Sequence, residues 1–175
     1  GQASDRRIPH ALEGAREGDH GVSGVGRRYP TAAKAPEALI GMGACYRELK
    51  KWPEEMAAYQ EVLKKYGSTD YAPRAKFEMG ECYQITKEYS TAIEVLRDLV
   101  WKYPKSNEAP RALIKIGMIY RQLKKFDDEL AMYKKVVEHF GSTPYAADAQ
   151  MKIGESYQRA RNLKEALRAY YRVVK

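Results

Sequence analysis

A repeat with a period of 37 residues runs through most of this 175-residue chain. Its clearest mark is a glycine that recurs at a constant spacing, at Gly43, Gly80, Gly117 and Gly154. A tyrosine follows each glycine after three residues, and an alanine precedes each by five. Large apolar residues recur in the same register further along each unit. Self-similarity at a fixed period of this length is typical of proteins built by stacking one supersecondary unit on the next.

Each unit contains two stretches with the periodicity of an amphipathic helix. In the third unit, Leu113, Ile116 and Tyr120 fall on one helical face. After a polar break, Leu130 and Tyr133 belong to a second such face. No stretch alternates between apolar and polar residues as a half-buried strand would. The sequence therefore predicts an all-α fold of tandem helix–turn–helix units.

Turn and capping residues suggest where the units begin and end. Glycine or proline at 67, 104 and 141 is placed to end the preceding helix. The hydroxyl residues Thr69, Ser106 and Thr143 are placed as N-caps, whose side chains accept from an unpaired backbone N–H. We predict four repeats and, before them, a poorly patterned segment with a partial, frayed helix from about residue 10 to 29. The predicted ranges are 1–30 for that segment and 31–67, 68–104, 105–141 and 142–175 for the repeats.

The repeated glycine lies inside the first predicted helix of each unit. Glycine in a helix interior costs about 1 kcal/mol relative to alanine. Four such costs are explained if the missing side chain allows a close approach. We predict that the second helix of each pair packs its backbone against the first helix at this point.

The residues that usually carry catalysis or metal binding form no recognisable arrangement. His10 and His20 lie in the poorly patterned start, and His139 is predicted on the surface near a helix end. The acidic clusters at 54–55 and 127–129 lie at starts of second helices, where the helix dipole explains them. We predict no enzyme activity, no metal, no cofactor and no small-molecule substrate. Cys45 and Cys82, one period apart, are predicted to be two free, buried thiols, because stacked helices lie too far apart for a disulfide.

The repeated residues resemble the signature of the tetratricopeptide repeat family. The second unit carries Gly80, Tyr83, Ala92, Leu96 and Pro104 at the positions of that signature. The first and third units depart from it, since Glu replaces the small Ala residue at positions 55 and 129. The resemblance implies a right-handed α-solenoid that binds another protein. The longer junction resembles that of bacterial cell-envelope members, namely the β-barrel assembly lipoprotein and the Tol–Pal cell-division coordinator, and it implies a periplasmic or envelope location.

The same resemblance indicates where a partner would bind, because first helices line the concave face of such proteins. The predicted groove is polar and mainly basic, and it suits an acidic or extended segment of another protein. The residues predicted to line it are Arg47, Arg74, Glu81, Gln84, Arg111, Lys115, Arg121, Gln122, Lys152, Glu155, Gln158 and Arg159.

Charge and composition leave other possibilities open. The chain carries 31 Lys and Arg against 23 Asp and Glu, a net charge of +8 that favours acidic partners. A helical-repeat module that binds nucleic acid is the alternative, although the basic residues form no continuous stripe. Because no run is long and apolar enough to span a membrane, we expect any membrane association to be indirect. Unpaired cysteines favour a reducing compartment, so a cytoplasmic location is the alternative to the periplasm.

The two ends of the sequence suggest that the chain is a fragment. Neither end has the pattern of a signal peptide, and the last repeat stops at Lys175 inside a patterned segment. Exposed apolar residues at an uncapped repeat would favour association. We therefore expect either a longer native chain or end-to-end pairing through residues such as Tyr171 and Val174.

Overall fold

The computed structural model describes residues 34–174, which form eight α-helices and, within this range, no strand. The predicted all-α helical repeat fold is confirmed. The poorly patterned segment 1–30 and its partial helix lie outside the described residues. The helices are α1 (Ala35–Glu48), α2 (Trp52–Tyr66), α3 (Tyr71–Ile85), α4 (Tyr89–Lys102), α5 (Glu108–Gln122), α6 (Phe126–His139), α7 (Pro144–Arg159) and α8 (Leu163–Val174).

The chain divides into two compact units, one that reaches to Glu61 and one that begins at Val62. The described part of the first unit holds α1 and most of α2. In the second unit, from α3 onward, each helix packs against the next one along the chain. The odd-numbered helices also contact one another, α3 with α5 and α5 with α7. This pattern, in which first helices lie side by side, is that of a helical repeat array. None of the helices between residues 34 and 174 is both long and apolar enough to cross a bilayer.

The repeated glycines are buried, and each faces a large side chain of the following helix. A Cβ atom built on Gly43 would lie 2.3 Å from Cε1 of Tyr59, and one on Gly117 would lie 2.4 Å from Cε1 of Tyr133. Gly80 meets Leu96 and Gly154 meets Tyr170 in the same way. The predicted close approach is therefore confirmed. The contacting group was predicted wrongly, because it is a side chain 16 positions further on and not the helix backbone.

The turn inside each helix pair uses one repeated backbone conformation. The first helix ends in a Schellman motif in all four pairs, as in the third, where Lys124 N–H donates to Arg121 O and Lys125 N–H donates to Tyr120 O. The residue at the left-handed position is basic each time. Its φ angle is 57° at Lys50, 65° at Lys87, 57° at Lys124 and 60° at Arg161. Glycine is the usual residue at this position, and a cation next to a helix C-terminus offsets part of the strain.

The predicted N-cap hydroxyls do not cap the helices. Thr69 Oγ1 donates back to Tyr66 O at 2.7 Å, and Thr143 Oγ1 donates back to Phe140 O at 2.7 Å. Ser106 Oγ is buried without a hydrogen-bond partner among the described residues. At Thr69 and Thr143 the prediction was wrong because each hydroxyl is close enough to the carbonyl three residues earlier to bond it instead.

The two cysteines are free, but only one of them is buried. Cys82, on α3, is 2% exposed, as predicted, whereas Cys45, on α1, is exposed. The prediction for Cys45 was therefore wrong. Since α1 is the first described helix, no described helix precedes it to cover the face on which Cys45 lies.

Candidate partner-binding face

Eleven of the twelve residues predicted to bind a partner lie in the second unit, on α3, α5 and α7. We call this set of exposed and half-buried side chains the first-helix face. It exists because α3, α5 and α7 lie side by side, so that residues one period apart become neighbours. The contacts within the face decide which of its side chains are held by neighbours and which remain open to a partner.

Two of the contacts across the face join α3 and α5 around Phe77. Lys115 Nζ lies 2.6 Å from Glu81 Oε1, and both side chains are half-buried. The guanidinium of Arg111 stacks over the buried ring of Phe77 at 4.3 Å from its centroid. Cation–π and partly desolvated ion pairs of this kind hold long side chains in one conformation. Glu81, Arg111 and Lys115 are therefore partly used in joining neighbouring repeats.

Glutamine residues contribute a second set of contacts. Gln84 Nε2 donates to Gln122 Oε1 at 3.2 Å, from α3 to α5. Gln158 Oε1 accepts from Tyr170 Oη at 2.9 Å, within the last helix pair. All four side chains are at least partly open to solvent. The two predicted glutamines on α3 and α7 thus have different neighbours, although they occupy the same position in the repeat.

The predicted residues on α7 include both basic and acidic side chains. Lys152 Nζ lies 3.7 Å from Asp148 Oδ1, one helical turn away. Glu155 and Gln158 line a shallow cavity of about 530 Å³ together with Arg159. Arg159 Nη2 also donates to Glu129 Oε1 at 2.5 Å and therefore reaches from α7 to α6.

Arg74 and Arg121 are two of the three exposed cations among the predicted residues of this face, and the third is Arg159. Both side chains are exposed, Arg74 in the first turn of α3 and Arg121 in the last turn of α5. Neither forms an ion pair with a carboxylate between residues 34 and 174. That these and the other predicted residues bind a partner stays a prediction.

Arg47, the remaining predicted residue, lies in the first unit and has a structural role. Its Nε and Nη2 atoms both lie 2.7 Å from Oε1 of Glu55, whose side chain is fully buried. Nη2 also donates to Tyr59 Oη at 3.3 Å. A buried carboxylate requires a counter-ion, and these contacts of Arg47 supply it within the same helix pair.

The buried acids Glu55 and Glu129 correct the interpretation of the acidic clusters. Both lie in the first turn of a second helix, as predicted. However, Glu55 is 0% and Glu129 is 2% exposed, and each is held by an arginine. The helix dipole favours an acid in the first turn but does not by itself account for a fully buried carboxylate, which needs a counter-ion. Burial, with the negative charge of Glu129 adding to it, raises the pKa of the neighbouring Tyr133 hydroxyl.

A double period explains these acids and was missed in the sequence. Repeats one and three combine arginine on the first helix with glutamate on the second, as Arg47 with Glu55 and Arg121 with Glu129. Repeats two and four combine Gln84 with Ala92 and Gln158 with Ala166 in the same register. The alternation of Arg and Gln therefore coincides with the alternation of a buried Glu and an Ala on the second helix, although Glu129 is paired with Arg159 and not with Arg121.

A second feature that the sequence reasoning missed is an apolar cavity away from the first-helix face. It has a volume of about 720 Å³ and includes none of the twelve predicted residues. Its lining comes mainly from α4 and α6, and Trp101 at its edge is 80% exposed. The signal that could have revealed it is the tryptophan itself, at a position where the other repeats carry charged residues.

Comparisons with known proteins agree with the repeat architecture. Two family models described as tetratricopeptide repeat match the chain, one over residues 37–69 and 74–106 and the other over residues 114–175. The chain belongs to the tetratricopeptide repeat family. Members of this family generally bind other proteins or peptides. The matched segments cover most of the residues that the structure of this tetratricopeptide repeat chain describes. No curated protein is significantly similar to it in sequence.

Solved structures with the same fold come from bacteria and from a fungus. MamA from Desulfovibrio magneticus RS-1 is 19% identical, with a TM-score of 0.60 over 87% of this chain and 81% of its own. BtubC from P. vanneervenii is 15% identical, with a TM-score of 0.70 over 87% and 68%. A putative kinesin light chain from Podosopora anserina is 14% identical, with a TM-score of 0.62 over 85% and 80%. At these identities the likeness shows the fold alone.

Proposed function

We propose that this protein is a non-catalytic scaffold that binds an acidic or extended segment of a partner protein on the first-helix face. The observation that supports it most directly is the combination of rigid and open side chains on that face. The contacts of Lys115 with Glu81 and of Arg111 with Phe77 join α3 to α5. Arg74 and Arg121 remain exposed at opposite ends of these helices. Because neighbouring side chains already hold part of the face in place, the scaffold itself loses little conformational freedom when a partner binds there.

The charge of the face supports an acidic partner. Among the predicted residues of the second unit, basic side chains outnumber acidic ones by six to two. Arginine binds carboxylates through paired, charge-assisted hydrogen bonds. The nucleic-acid alternative has less support, because Lys115 and Arg159 are already neutralised by carboxylates and interrupt any basic track. Nucleic-acid binding depends on a continuous row of phosphate contacts.

Affinity capture from a native extract tests this proposal. The chain is compared with an Arg74→Ala/Arg121→Ala variant and with a matched control, Lys64→Ala/Lys164→Ala, which removes two exposed cations on second helices. We expect the control to retrieve the same proteins as the unchanged chain and the first variant to lose them. Arg47 is left intact, because its removal would expose Glu55 as an unpaired buried charge.

Two results would reject the proposal. If both variants retrieve the same proteins in the same amounts, the first-helix face is not the binding site. Binding to labelled single-stranded RNA that weakens steeply with salt would instead favour the nucleic-acid alternative. Circular dichroism of each variant checks that the helices are retained.

A stripe on α8 supports self-association as a further property. Leu163, Leu167, Tyr171 and Val174 follow one helical face, and all are exposed. In the preceding helix pair the equivalent of Leu163 is Phe126, which packs edge-on against Tyr157 of α7 at 6.2 Å. We propose that a second copy of the chain covers the α8 stripe in solution.

Sedimentation at increasing concentration tests the pairing. We expect the unchanged chain to associate and Leu167→Lys to remain monomeric, because a charge on the stripe opposes its burial. Leu123→Lys, an exposed leucine away from the stripe, is the control. A clean monomer of the unchanged chain at high concentration would exclude the pairing.

We also propose the bacterial periplasm or cell envelope as its location, on the basis of the long repeat junction. The free, exposed thiol of Cys45 provides a test. A thiol reagent that passes the outer membrane and not the inner one would label Cys45 in intact cells if the protein is periplasmic. Labelling only after lysis would support the cytoplasmic alternative.

A further inference from the structure

Trp101 departs from the repeat at a position that the fold does not require to be apolar. It lies near the end of α4 and is 80% exposed. The equivalent residues of the first and third repeats are Lys64 and Glu138, which are both exposed. Residues needed for packing recur from repeat to repeat, whereas a residue that occurs once is free of that requirement. An exposed tryptophan therefore calls for a reason outside the fold.

The cavity beside Trp101 is apolar in its walls. Val100, Leu113, Met132 and Phe140 line it, and Leu113 and Met132 are each 6% exposed. Its volume of about 720 Å³ is large enough for more than one amino-acid side chain. An open apolar recess next to an exposed tryptophan is suited to a protein interface, where a few aromatic residues carry most of the binding energy.

The charged residues that line the cavity are both basic. They are Arg97 and Lys135, which lie beside His139, and no acidic residue of the described part of the chain lines the cavity. Arg97 is held in place because its Nη2 donates to Tyr120 Oη at 2.8 Å. A ligand in the cavity therefore meets an apolar floor and a cationic rim, which together favour an apolar group flanked by carboxylates.

We propose that this cavity, the Trp101 site, binds an acidic amphipathic segment of another protein. One large apolar side chain of the segment enters between Trp101 and Met132, and its Asp or Glu residues pair with Arg97 and Lys135. A protein segment suits the site better than a nucleic acid, because bases stack on exposed aromatic platforms and gain little from the aliphatic walls. The site lies on α4 and α6, shares no residue with the first-helix face, and so gives the chain a second, independent binding surface.

A selection from a random peptide library displayed on phage tests the chemistry of the ligand. Selected peptides are labelled with fluorescein, and their affinity is measured by fluorescence polarisation. The Trp101→Lys variant places at this position the residue of the first repeat, so it is expected to fold normally. We expect selected peptides to combine acidic with large apolar residues and to lose about tenfold or more in affinity for this variant.

Two control variants, a charge reversal and a fluorescence measurement make the result specific. Leu123→Lys removes another exposed apolar side chain that lies outside the α8 stripe, and Arg74→Ala/Arg121→Ala alters the first-helix face; both should change the affinity by less than about twofold. Lys135→Glu should weaken the same peptides and improve their charge-reversed versions. In a Trp52→Phe background, Trp101 is the only tryptophan, and its emission should shift to shorter wavelength when the peptide binds.

The proposal is rejected if the selected peptides bind Trp101→Lys as tightly as the unchanged chain, or if they show no acidic excess. It is also rejected if a labelled single-stranded RNA, and no peptide, requires Trp101 for binding. Matching unfolding midpoints of the variants exclude misfolding as the cause of any loss. Because the first-helix face is intact in Trp101→Lys, failure here leaves the proposed scaffold function untouched.

Discussion

The first and third helix pairs carry the same arginine and glutamate in register, but the two buried glutamates are neutralised from different directions. Glu55 is held by Arg47 of its own pair. Glu129 is held by Arg159 and Ser156 of the following α7, while Arg121, the equivalent of Arg47, is exposed.

The residues of the following repeat account for this difference. Positions equivalent to Ser156 and Arg159 are occupied by Cys82 and Ile85 in the second repeat, and neither can supply a cation. The repeat after the third pair therefore has a hydroxyl and a guanidinium that can donate hydrogen bonds to a buried carboxylate, whereas the repeat after the first pair has neither at these positions. One sequence motif can serve either to stabilise its own unit or to leave its arginine available to a partner, and the next repeat decides which.

The largest expected effect concerns the ion pair of the first repeat. Arg47→Gln should lower the free energy of unfolding by about 3 kcal/mol, because it leaves Glu55 charged and buried without a counter-ion. The double variant Arg47→Gln/Glu55→Ala recreates the combination found in the second and fourth repeats and should recover most of that loss. Urea denaturation measures both. Equal stability of the single and double variants would show that the pair is not coupled.

In the third repeat the important arginine should be the one on α7. Arg159→Ala should cost about 2 kcal/mol, less than Arg47→Gln, because Arg159 is partly exposed and Ser156 Oγ still donates to Glu129 at 2.7 Å. Arg121→Ala should change the stability by less than about 0.5 kcal/mol. If denaturation gives the reverse order, Arg121 is the true counter-ion in solution and the comparison of the two pairs fails.

Glycine substitutions in α1 should act in opposite directions. Gly43→Ala would bring a Cβ to 2.3 Å from the Tyr59 ring and should destabilise the protein by about 1–2 kcal/mol. Gly41→Ala, two residues away, meets no atom of residues 34–174 within 4 Å and should stabilise the protein by about 1 kcal/mol through helix propensity. Thermal unfolding of both variants tests the reason for the repeated glycine. Stabilisation by Gly43→Ala would refute it.

The smallest effects are expected at the tyrosines that cover these glycines. Tyr133 Oη is buried without a hydrogen-bond partner among the described residues, so Tyr133→Phe should be neutral or stabilising. Tyr59→Phe should cost about 0.5–1 kcal/mol through loss of the bond from Arg47.

The dependence of stability on pH in the alkaline range provides a second measurement at Tyr133. Because its pKa is raised in the folded state, the folded protein keeps the phenol proton longer than the unfolded chain. Stability should therefore fall as the pH rises above about 10, the unfolded value. In Tyr133→Phe this contribution to the decline should be missing.

The sequence by itself determined the helical repeat and its register. The glycine spacing identified the point of closest approach in each pair, since only a missing Cβ tolerates a ring at that distance. Prolines also begin or closely follow the start of the first helices, at Pro36, Pro73, Pro110 and Pro144. These features depend on backbone geometry and local packing, which repeat whenever the motif repeats.

Only the tertiary structure decided which polar side chains pair with neighbouring residues of the fold and which remain exposed. The sequence placed Arg47 and Arg121 in one class, although one is tied to a buried acid and the other is exposed. It also gave no reason to group Trp101 with Leu113, Met132 and Phe140, which come from three successive helices and the turn after them. Such contacts depend on how neighbouring repeats meet, and a desolvated charge or an apolar recess arises only when side chains from separate helices come together.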